Sequence, residues 1–228
     1  MFTVADLFDL SQTEHAALLE GDGPAWEALA AIENYLAKFA WPVHQATVSP
    51  HAVIGENVFL GDGTVVEPGA FIEGPAIIGA NSKIRHNAYI RANVIIGDNC
   101  VIGNSCELKN ALLFNDCQVP HFNYVGDSIL GHHAHLGAGV VLSNFKSLPG
   151  NVTVQHEDEK IDTGLRKFGA LIGDHAELGC NSVLNPGSII GRRSVVYPNA
   201  NWRGVLAADR IAKHRGEMEI VERIFKDQ

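Results

Sequence analysis

The stretch "VIIGDNCVIGNSCEL", residues 94–108, contains the pattern that decides the fold. An aliphatic residue recurs every six positions, at Ile96, Ile102 and Leu108, and a small residue follows four places later, at Cys100 and Cys106. A period of six suits neither an amphipathic helix nor a simply alternating strand. It is typical of a β-solenoid, in which short strands joined by tight corners wind around one narrow core.

Working outward, the same pattern covers residues 48 to 200. Two steps are five residues long, the ones that lead to Leu113 and to Leu130, and the pattern stops after Leu142 and resumes at Ile172. Three hexapeptides make one triangular coil, so residues about eighteen apart should stack at strand spacing, roughly 4.8 Å. This rule converts distance along the sequence into contact in space.

The flanks of the repeat differ from it. Within residues 24–39, apolar residues fall at helical spacing: Trp26, Leu29, Ile32, Leu36 and Phe39. The interrupted part contains "NVTVQHEDEKIDT", which alternates like a β-hairpin. We therefore predict a helical cap over residues 1–40, a solenoid over 41–204 with an extruded loop at 143–171, and a C-terminal helix over 205–228.

Composition narrows the function classes. The chain of 228 residues has a formal net charge of −9 and only 7% aromatic residues, which argues against nucleic acid and anionic membranes as partners. The N-terminus lacks the basic and apolar regions of a signal peptide, and no run of residues is apolar enough to span a membrane. We expect a cytoplasmic protein. The four cysteines lack metal-site spacing, and Cys100, Cys106 and Cys117 occupy the small inward position.

A pair of basic residues is the first functional candidate. Arg91 and Lys109 are eighteen residues apart, and each directly follows an aliphatic core residue. They should stack on adjacent coils, where two like charges repel and an anion between them is a natural interpretation. Solvated surface charge is the alternative. Glu107 and Tyr124 share a phase one coil apart, once the short step is allowed for.

The repeat resembles the left-handed parallel β-helix of the hexapeptide-repeat acyltransferases, and the handedness rests on that resemblance alone. Residues 107–145, "ELKNALLFNDCQVPHFNYVGDSILGHHAHLGAGVVLSNF", look like the acetyltransferase domain of the bifunctional N-acetylglucosamine-1-phosphate uridyltransferases. Residues 163–191, "TGLRKFGALIGDHAELGCNSVLNPGSIIG", resemble archaeal sugar-1-phosphate nucleotidylyltransferases with an acetylating domain. The resemblance implies an acetyl-CoA-dependent N-acetyltransferase acting on an amino-sugar 1-phosphate.

The same resemblance implies roles for individual residues. His121 would be the general base, since the unperturbed pKa of a histidine, about 6.5, suits proton acceptance at neutral pH. The implied substrate-binding residues are Arg91, Lys109 and Lys167 for the phosphate, Tyr124, His135 and Asn144 for the sugar, and Glu107 as support for His121 and Tyr124. The implied acetyl-CoA contacts are the backbone of Ala138 and Gly139, which would also stabilise an oxyanion, and that of Cys180.

Departures from the family limit what the resemblance implies. No glycine-rich nucleotidyltransferase motif is present, so nucleotidyl transfer would need a separate protein. His135 replaces an asparagine, so galactosamine 1-phosphate or a nucleotide-linked amino sugar is as possible as glucosamine 1-phosphate. The family implies a homotrimer with sites between subunits.

Two other function classes stay open. One is a non-catalytic hexapeptide scaffold or assembly protein. The other is a metal protein like the γ-class carbonic anhydrases, using His132, His133 and His135 of "GHHAH". The first two histidines fall at a corner and His135 faces outward, so the three need not converge, and we predict no metal.

Overall fold

The computed structural model describes residues 3–42 and 45–213. The repeat forms a three-sided solenoid of parallel strands, and we name its sides faces A, B and C. The all-β solenoid predicted from the six-residue period is confirmed. Face A consists of Thr47–Val48, Val65–Val66, Lys83–Ile84, Val101–Asn104, Gln118–His121, His135–Leu136, Glu177–Leu178, Val195–Val196 and Ile211–Ala212.

The other two faces follow in the same coils. Face B consists of Val53–Ile54, Phe71–Ile72, Tyr89–Ile90, the first halves of Glu107–Leu113 and Tyr124–Leu130, Val141–Leu142, Val183–Leu184 and Asn201–Trp202. Face C consists of Val58–Leu60, Ala76–Ile78, Val94–Ile96, the second halves of the same two long strands, Ala170–Ile172, Ser188–Ile190 and Val205–Leu206. We call the turns between them the A–B, B–C and C–A corners.

The strand register follows the rule derived from the sequence. Val53 pairs with Phe71, eighteen residues on, and Glu107 pairs with Tyr124, seventeen residues on. The shorter distance arises because a five-residue step removes one residue from a corner. Stacking of equivalent positions on successive coils is therefore confirmed.

The two five-residue steps change the B–C corner. At each step one strand bends around the corner instead of ending, which produces the long strands Glu107–Leu113 and Tyr124–Leu130. The bend requires the left-handed region of backbone space, and Asn110 (φ 45°) and Asp127 (φ 46°) adopt it. Asparagine and aspartate tolerate this region better than other side chains do. The shortened corner thus places two polar residues side by side.

The inward positions form one continuous apolar core along the axis. Aliphatic side chains such as Ile96, Ile102 and Leu108 are fully buried, and Cys100 and Cys117 fill the small positions beside them. Burial raises the pKa of the Cys117 thiol, which keeps it protonated and unreactive. The interpretation of these cysteines as buried small residues is confirmed, whereas Cys180 is exposed at a corner.

The N-terminal segment lies along face C rather than over an end of the solenoid. It contains the α-helices Val4–Leu7 and Ala28–Leu36 and the 3-10 helices Leu10–Gln12, Ala16–Leu19 and Ala25–Glu27. Buried side chains of this segment pack on the outward side chains of face C, which are Ile77, Ile95, Leu112, Ile129, Leu171 and Ile189. Face C is apolar on both sides, so it needs such a cover. The predicted helical cap therefore covers a face of the solenoid and not its end.

The predicted hairpin covers the remainder of the same face. Thr153–His156 and Glu159–Asp162 form an antiparallel pair, as the alternation predicts. Val152 and Val154 are buried against face C, and Phe168, at the end of the loop, contacts Trp26 of the N-terminal segment with ring centroids 6.0 Å apart. The loop and the N-terminal segment together enclose face C.

Polar contacts attach the N-terminal segment to the C–A corner. The buried carboxylate of Asp174 accepts hydrogen bonds from the backbone N–H of Asp9 at 2.8 Å and of His132 at 2.9 Å. Asn115 N–H donates to the backbone oxygen of Gln12 at 3.1 Å. Burial raises the pKa of Asp174, and these donors together with Arg192 oppose that rise.

At the C-terminal end the prediction was partly wrong. Residues 205–212, assigned to a helix, instead form the strands Val205–Leu206 and Ile211–Ala212, which continue faces C and A. The apolar residues there follow the solenoid pattern, with Leu206 packed in the core. The helix predicted beyond this point lies outside the described residues. Among those described, no helix has the length and apolar character needed to cross a membrane.

His15 makes stability depend on pH. It is buried within the N-terminal segment, with its Nδ1 2.9 Å from the Tyr35 hydroxyl, and burial lowers its pKa to about 4. Between this pKa and the unfolded value of 6.5 the unfolded chain binds a proton that the folded chain does not. The contribution of neutral His15 to the free energy of unfolding is therefore complete above pH 6.5. It is lost as the pH falls from 6.5 towards 4, by up to about 3 kcal/mol. We expect His15→Gln to flatten this dependence in urea unfolding, and an unchanged pH slope in the variant would contradict the assignment.

Candidate active site

The B–C corner brings together most of the predicted substrate-binding residues. Arg91 and Lys109 lie on adjacent coils, as expected, since the backbone N–H of Arg91 donates to the oxygen of Leu108, the residue before Lys109. Each cation has a carboxylate of its own. Arg91 donates to Glu107 at 2.9 Å, and the Lys109 ammonium lies 3.3 Å from Asp127. The two positive charges are thus partly neutralised within the chain, which the sequence did not reveal.

Asp127 binds three other side chains of this corner, although the sequence analysis assigned it no role. Its side chain is almost fully buried and accepts hydrogen bonds from Asn110 at 3.0 Å and from Asn144 at 2.5 Å, as well as from Lys109. Asn144 also donates to the Tyr124 hydroxyl at 3.2 Å. We call this set the B–C network: Arg91, Glu107, Lys109, Asn110, Tyr124, Asp127 and Asn144.

Tyr124 is held as a neutral phenol. Its half-buried position raises its pKa, and the hydrogen bond from Asn144 opposes that shift. The negative charges of Glu107 and Asp127 raise the pKa further. The hydroxyl therefore keeps its proton and remains able to donate a hydrogen bond to a substrate oxygen.

A groove runs between the B–C network and the N-terminal segment. It has a volume of about 350 Å³ and is lined on one side by Leu29 and Glu33, and on the other by Glu73, Arg91 and Lys109. Asn110 connects the two walls, since its amide donates to the backbone oxygen of Leu29 at 3.4 Å. The predicted Arg91 and Lys109 pair therefore faces a cleft rather than open surface.

Lys167 lies next to this corner, at the base of the extruded loop. It forms an antiparallel bridge with Phe145, and the N–H of Phe168 donates to the backbone oxygen of Asn144 at 3.0 Å. The Lys167 side chain is exposed. Within the described residues, Lys167 is thus placed beside Asn144 by backbone contacts, and its side chain has no hydrogen bond or ion pair to the B–C network.

His121 occupies the A–B corner, on the other side of face B. It ends the strand Gln118–His121, pairs with Asn104 and is exposed. The buried amide of Asn123 fixes the backbone here, accepting from the N–H of His121 at 3.0 Å and donating to the backbone oxygen of Gly137 at 2.7 Å. Asn123 is a second positioning residue missed from the sequence, where it reads only as one of the small inward positions.

The glycine-rich turn Gly137–Gly139 lies one coil beyond His121, as the phase predicts. Two of its three N–H groups are used between coils, since Gly137 donates to Leu178 at 2.7 Å and Gly139 to the oxygen of His121 at 3.0 Å. The Ala138 N–H has no hydrogen-bond partner within residues 3–42 and 45–213. Cys180 follows on the next coil, where Asn181 donates to the oxygen of Ala138 at 2.8 Å. His121, Ala138 and Cys180 therefore lie on successive coils, as the phase predicts. Of the three N–H groups of the turn, only that of Ala138 is available to a ligand.

His135 is not part of either corner. Its exposed side chain lies on face A, between Gln118 and Glu177 of the neighbouring coils. The structure thus brings five of the seven predicted substrate-binding residues into one network and leaves His135 and Lys167 outside it. His121 and the two cations Arg91 and Lys109 lie at opposite ends of face B, and Tyr124 of the B–C network lies on the strand between these ends.

The six-residue repeat and the three-sided solenoid resemble those of hexapeptide-repeat proteins. A family model of the hexapeptide repeat of succinyl-transferase matches residues 51–92, and a model of the GMPPB C-terminal domain matches residues 72–165. The resemblance that the sequence suggested is confirmed by these matches and by the relatives that follow.

Among curated proteins, the chain is similar to the bifunctional sugar-1-phosphate nucleotidylyltransferase/acetyltransferase of Sulfurisphaera tokodaii. The two are 35% identical over 94 residues, which is 41% of this chain and 23% of that protein. The bifunctional protein GlmU of Methanococcus aeolicus is 32% identical over 114 residues, 50% of this chain and 28% of the relative. The chain thus spans about a quarter of the length of these relatives.

Solved structures with a similar course include the UDP-N-acetylglucosamine acyltransferase from Campylobacter jejuni. It superposes with a TM-score of 0.41 and 16% identity, covering 71% of this chain and 69% of that one. The acetyltransferase domain of PglB from Neisseria gonorrhoeae gives a TM-score of 0.35 with 15% identity, covering 80% and 63%.

Proposed function

We propose that this protein is an acetyl-CoA-dependent N-acetyltransferase whose acceptor is an amino-sugar 1-phosphate, of the glucosamine or galactosamine type. One observation carries the proposal. The exposed imidazole of His121 lies one coil from the free N–H of Ala138 and across face B from the two cations of the B–C network. A base, an oxyanion donor and a phosphate-binding pair are the groups that this reaction needs. The acetyltransferase named among the curated relatives supports the same reaction class.

His121 would act on the amino group of the sugar. The amine attacks the thioester carbonyl as a free base, forming a carbon–nitrogen bond, and the nitrogen must then lose a proton. The imidazole of His121 takes that proton, and the thiolate of CoA departs as the carbon–sulfur bond breaks. A single backbone donor, the Ala138 N–H, would stabilise the negative charge that develops on the carbonyl oxygen.

Arg91 and Lys109 would hold the phosphate in the groove that they line. The dianion would draw Arg91 from Glu107 and Lys109 from Asp127, since phosphate offers more acceptor oxygens than one carboxylate does. Asn110 and Asn144 continue to donate to Asp127, so its buried charge stays compensated when Lys109 turns to the substrate. Tyr124 and Asn144 would contact the sugar, with Lys167 at the edge, and Glu107 would support Tyr124 and His121.

Acetyl-CoA would lie along the A–B corner, against Ala138, Gly139 and Cys180. The homotrimer remains a prediction, as does the role of His135, which faces away from both corners within one chain and would need a neighbouring subunit to reach a substrate. Any nucleotidyl transfer is assigned to a separate protein. A non-catalytic scaffold is the alternative, and an inactive protein with intact fold would favour it.

The phosphate assignment predicts a selective effect of charge removal. In Lys109→Ala or Arg91→Ala, we expect the KM for the sugar phosphate to rise about tenfold or more, because a charge-assisted hydrogen bond contributes about 1.5–3 kcal/mol. The KM for acetyl-CoA should stay near its original value. Steady-state kinetics with each substrate varied in turn measures both.

Arg193→Ala is the control, because Arg193 also forms an ion pair, with Asp209, but this pair is more exposed and lies at the C–A corner. We expect both of its KM values to be unchanged. Equal increases in the two KM values for Lys109→Ala or Arg91→Ala would show that these side chains do not bind the phosphate.

A further inference from the structure

The C–A corner carries a column of histidines that the proposed acetyltransferase does not use. Successive coils place one residue of this corner in the left-handed backbone region, and in the early coils that residue is Asn81 or Asn99. Three consecutive coils replace asparagine with a metal-ligating residue: Asp116 (φ 64°), His133 (φ 56°) and His175 (φ 58°). Their backbone hydrogen bonds follow one pattern, each N–H donating to the preceding coil, so the three side chains stack.

His132 joins this column from the adjacent position. One ring nitrogen of His132, one of His133 and a carboxylate oxygen of Asp116 all lie within 4.8 Å of one another. The sequence suggested that the histidines of "GHHAH" need not converge. That expectation was wrong for His132 and His133, which meet Asp116 across the coil boundary, and right for His135, which points outward from face A.

We propose that Asp116, His132 and His133 form a binding site for one divalent transition-metal ion, of which Zn²⁺ is the best match. Two imidazoles and one carboxylate are ligands that suit zinc and its neighbours in the first transition row, whereas magnesium and calcium prefer sets made of oxygen. Three protein ligands leave a fourth position for water. Ligand atoms around tetrahedral zinc lie about 3.4 Å apart, so small side-chain rotations close the set.

The surroundings of His132 favour metal binding. Its Nδ1 lies 3.0 Å from the backbone oxygen of Asn115 and 3.6 Å from the carboxylate of Asp116. In the tautomer that donates Nδ1–H to Asn115, the lone pair that a metal would use is on Nε2. Metal-bound histidines characteristically donate their second nitrogen to such an acceptor. The backbone of His132 is itself fixed, because its N–H donates to the buried Asp174. The ring is therefore oriented before a metal arrives.

His175 supports the site from the next coil. Its ring stacks on His133 with centroids 5.2 Å apart and meets His132 edge-on at 5.4 Å. These ring contacts limit the rotation of both imidazoles at the site. Arg193 on the following coil is paired with Asp209 at 2.6 Å.

A metal here would connect two coils at the place where the N-terminal segment is attached. Asp116 belongs to one coil, and His132 and His133 belong to the next. Asn115 and Asp174, which bind the N-terminal segment, flank the site. A bound ion would therefore stabilise the corner and the attached segment by mass action.

Zinc titration of the chelator-treated, desalted full chain tests this proposal. We expect isothermal calorimetry to show one equivalent of Zn²⁺ bound, and Co²⁺ to give the intense visible bands of a tetrahedral ion. His133→Asn and Asp116→Asn should each weaken Zn²⁺ binding by about tenfold or more. Asparagine already occupies this corner position elsewhere, so both variants should fold, which melting of the metal-free proteins checks.

His51→Asn is the control, because His51 is exposed on the first coils and belongs to the A–B corner. It should bind Zn²⁺ like the parent. A parent protein that takes up no Zn²⁺, or variants at Asp116 and His133 that bind it as tightly as the parent, would overturn the proposal. None of these measurements depends on acetyl transfer, so they stand whether or not the proposed function is correct.

Discussion

His121→Ala should lower kcat/KM for acetyl transfer by about 100- to 10,000-fold while leaving the melting temperature almost unchanged. The loss follows from the missing proton acceptor, because the attacking nitrogen then keeps its proton. Stability should be insensitive because the His121 side chain is exposed and the corner is fixed by its backbone contacts to Asn123 and Gly139. Melting curves and steady-state kinetics on the same purified sample give both quantities.

The pH profile of kcat/KM gives an independent readout. Acid should reduce the activity of the parent protein, because a protonated imidazole cannot accept a proton, and the acid limb of the profile should be flatter in the variant. His51→Ala serves as the control, since it removes an exposed histidine from the same type of corner, several coils away. Near-parent turnover in His121→Ala would rule out the general-base role and would favour a scaffold protein.

Gly103→Ala should destabilise the fold by about 3 kcal/mol or more. A Cβ built on Gly103 would overlap the backbone carbonyl of Pro120 on the next coil. Backbone cannot move aside as the tip of a side chain can, so the two coils would have to separate at this point. Because Pro120 precedes His121, we also expect activity per folded molecule to fall. Unfolding in guanidinium and kinetics of the folded fraction measure the two effects.

Gly23→Ala is the matched control for this prediction. A Cβ at Gly23 meets only the carboxylate end of Glu27, which is flexible and can turn away. It should change the free energy of unfolding by less than about 1 kcal/mol. A Gly103→Ala protein as stable as this control would show that the A–B corner has more room than the structure gives it.

The repeat made the fold predictable. In a solenoid, residues one coil apart along the chain, about eighteen positions, stack on each other in space. The same rule predicts that His121 and Ala138 lie on adjacent coils. It also predicts this for Arg91 and Lys109. The cysteines were predictable for the same reason, since Cys100 and Cys117 fall in the phase that points inward.

Contacts made by side chains across a corner were not predictable. The charges of Arg91 and Lys109 suggested an unpaired site, yet Glu107 and Asp127 neutralise them. Asp127 could have been suspected from the five-residue step, because a shortened corner needs a residue that tolerates positive φ. Asn123 differs from the alanines and cysteines at the inward positions of other coils, but that difference did not reveal that its amide bonds to the backbone of His121 and Gly137.

The parts outside the repeat were the least predictable. Helical spacing identified the helix Ala28–Leu36 but could not reveal which surface it covers. The outward residues of face C, such as Ile95 and Leu112, indicate which surface is covered. Each follows or precedes an inward apolar residue, and two successive apolar residues in a strand indicate burial on both sides of the sheet. At the C-terminal end, Leu206 and Ala212 keep the six-residue spacing and pack on the solenoid core, whereas Ile211, which was assigned to a helix face, is exposed.

The extruded loop shows how tolerant this architecture is of added length. Leu130 pairs with Ile172 although forty-two residues separate them, and the ladder continues beyond as if the loop were absent. The shortened corners at Asn110 and Asp127 show the opposite change with equally little disturbance. The pairing of one strand with the strand on the next coil therefore does not depend on the length of the corner between them. New loops can be gained or lost at a corner during evolution without rebuilding the core, and substrate preference can diverge while the framework stays the same.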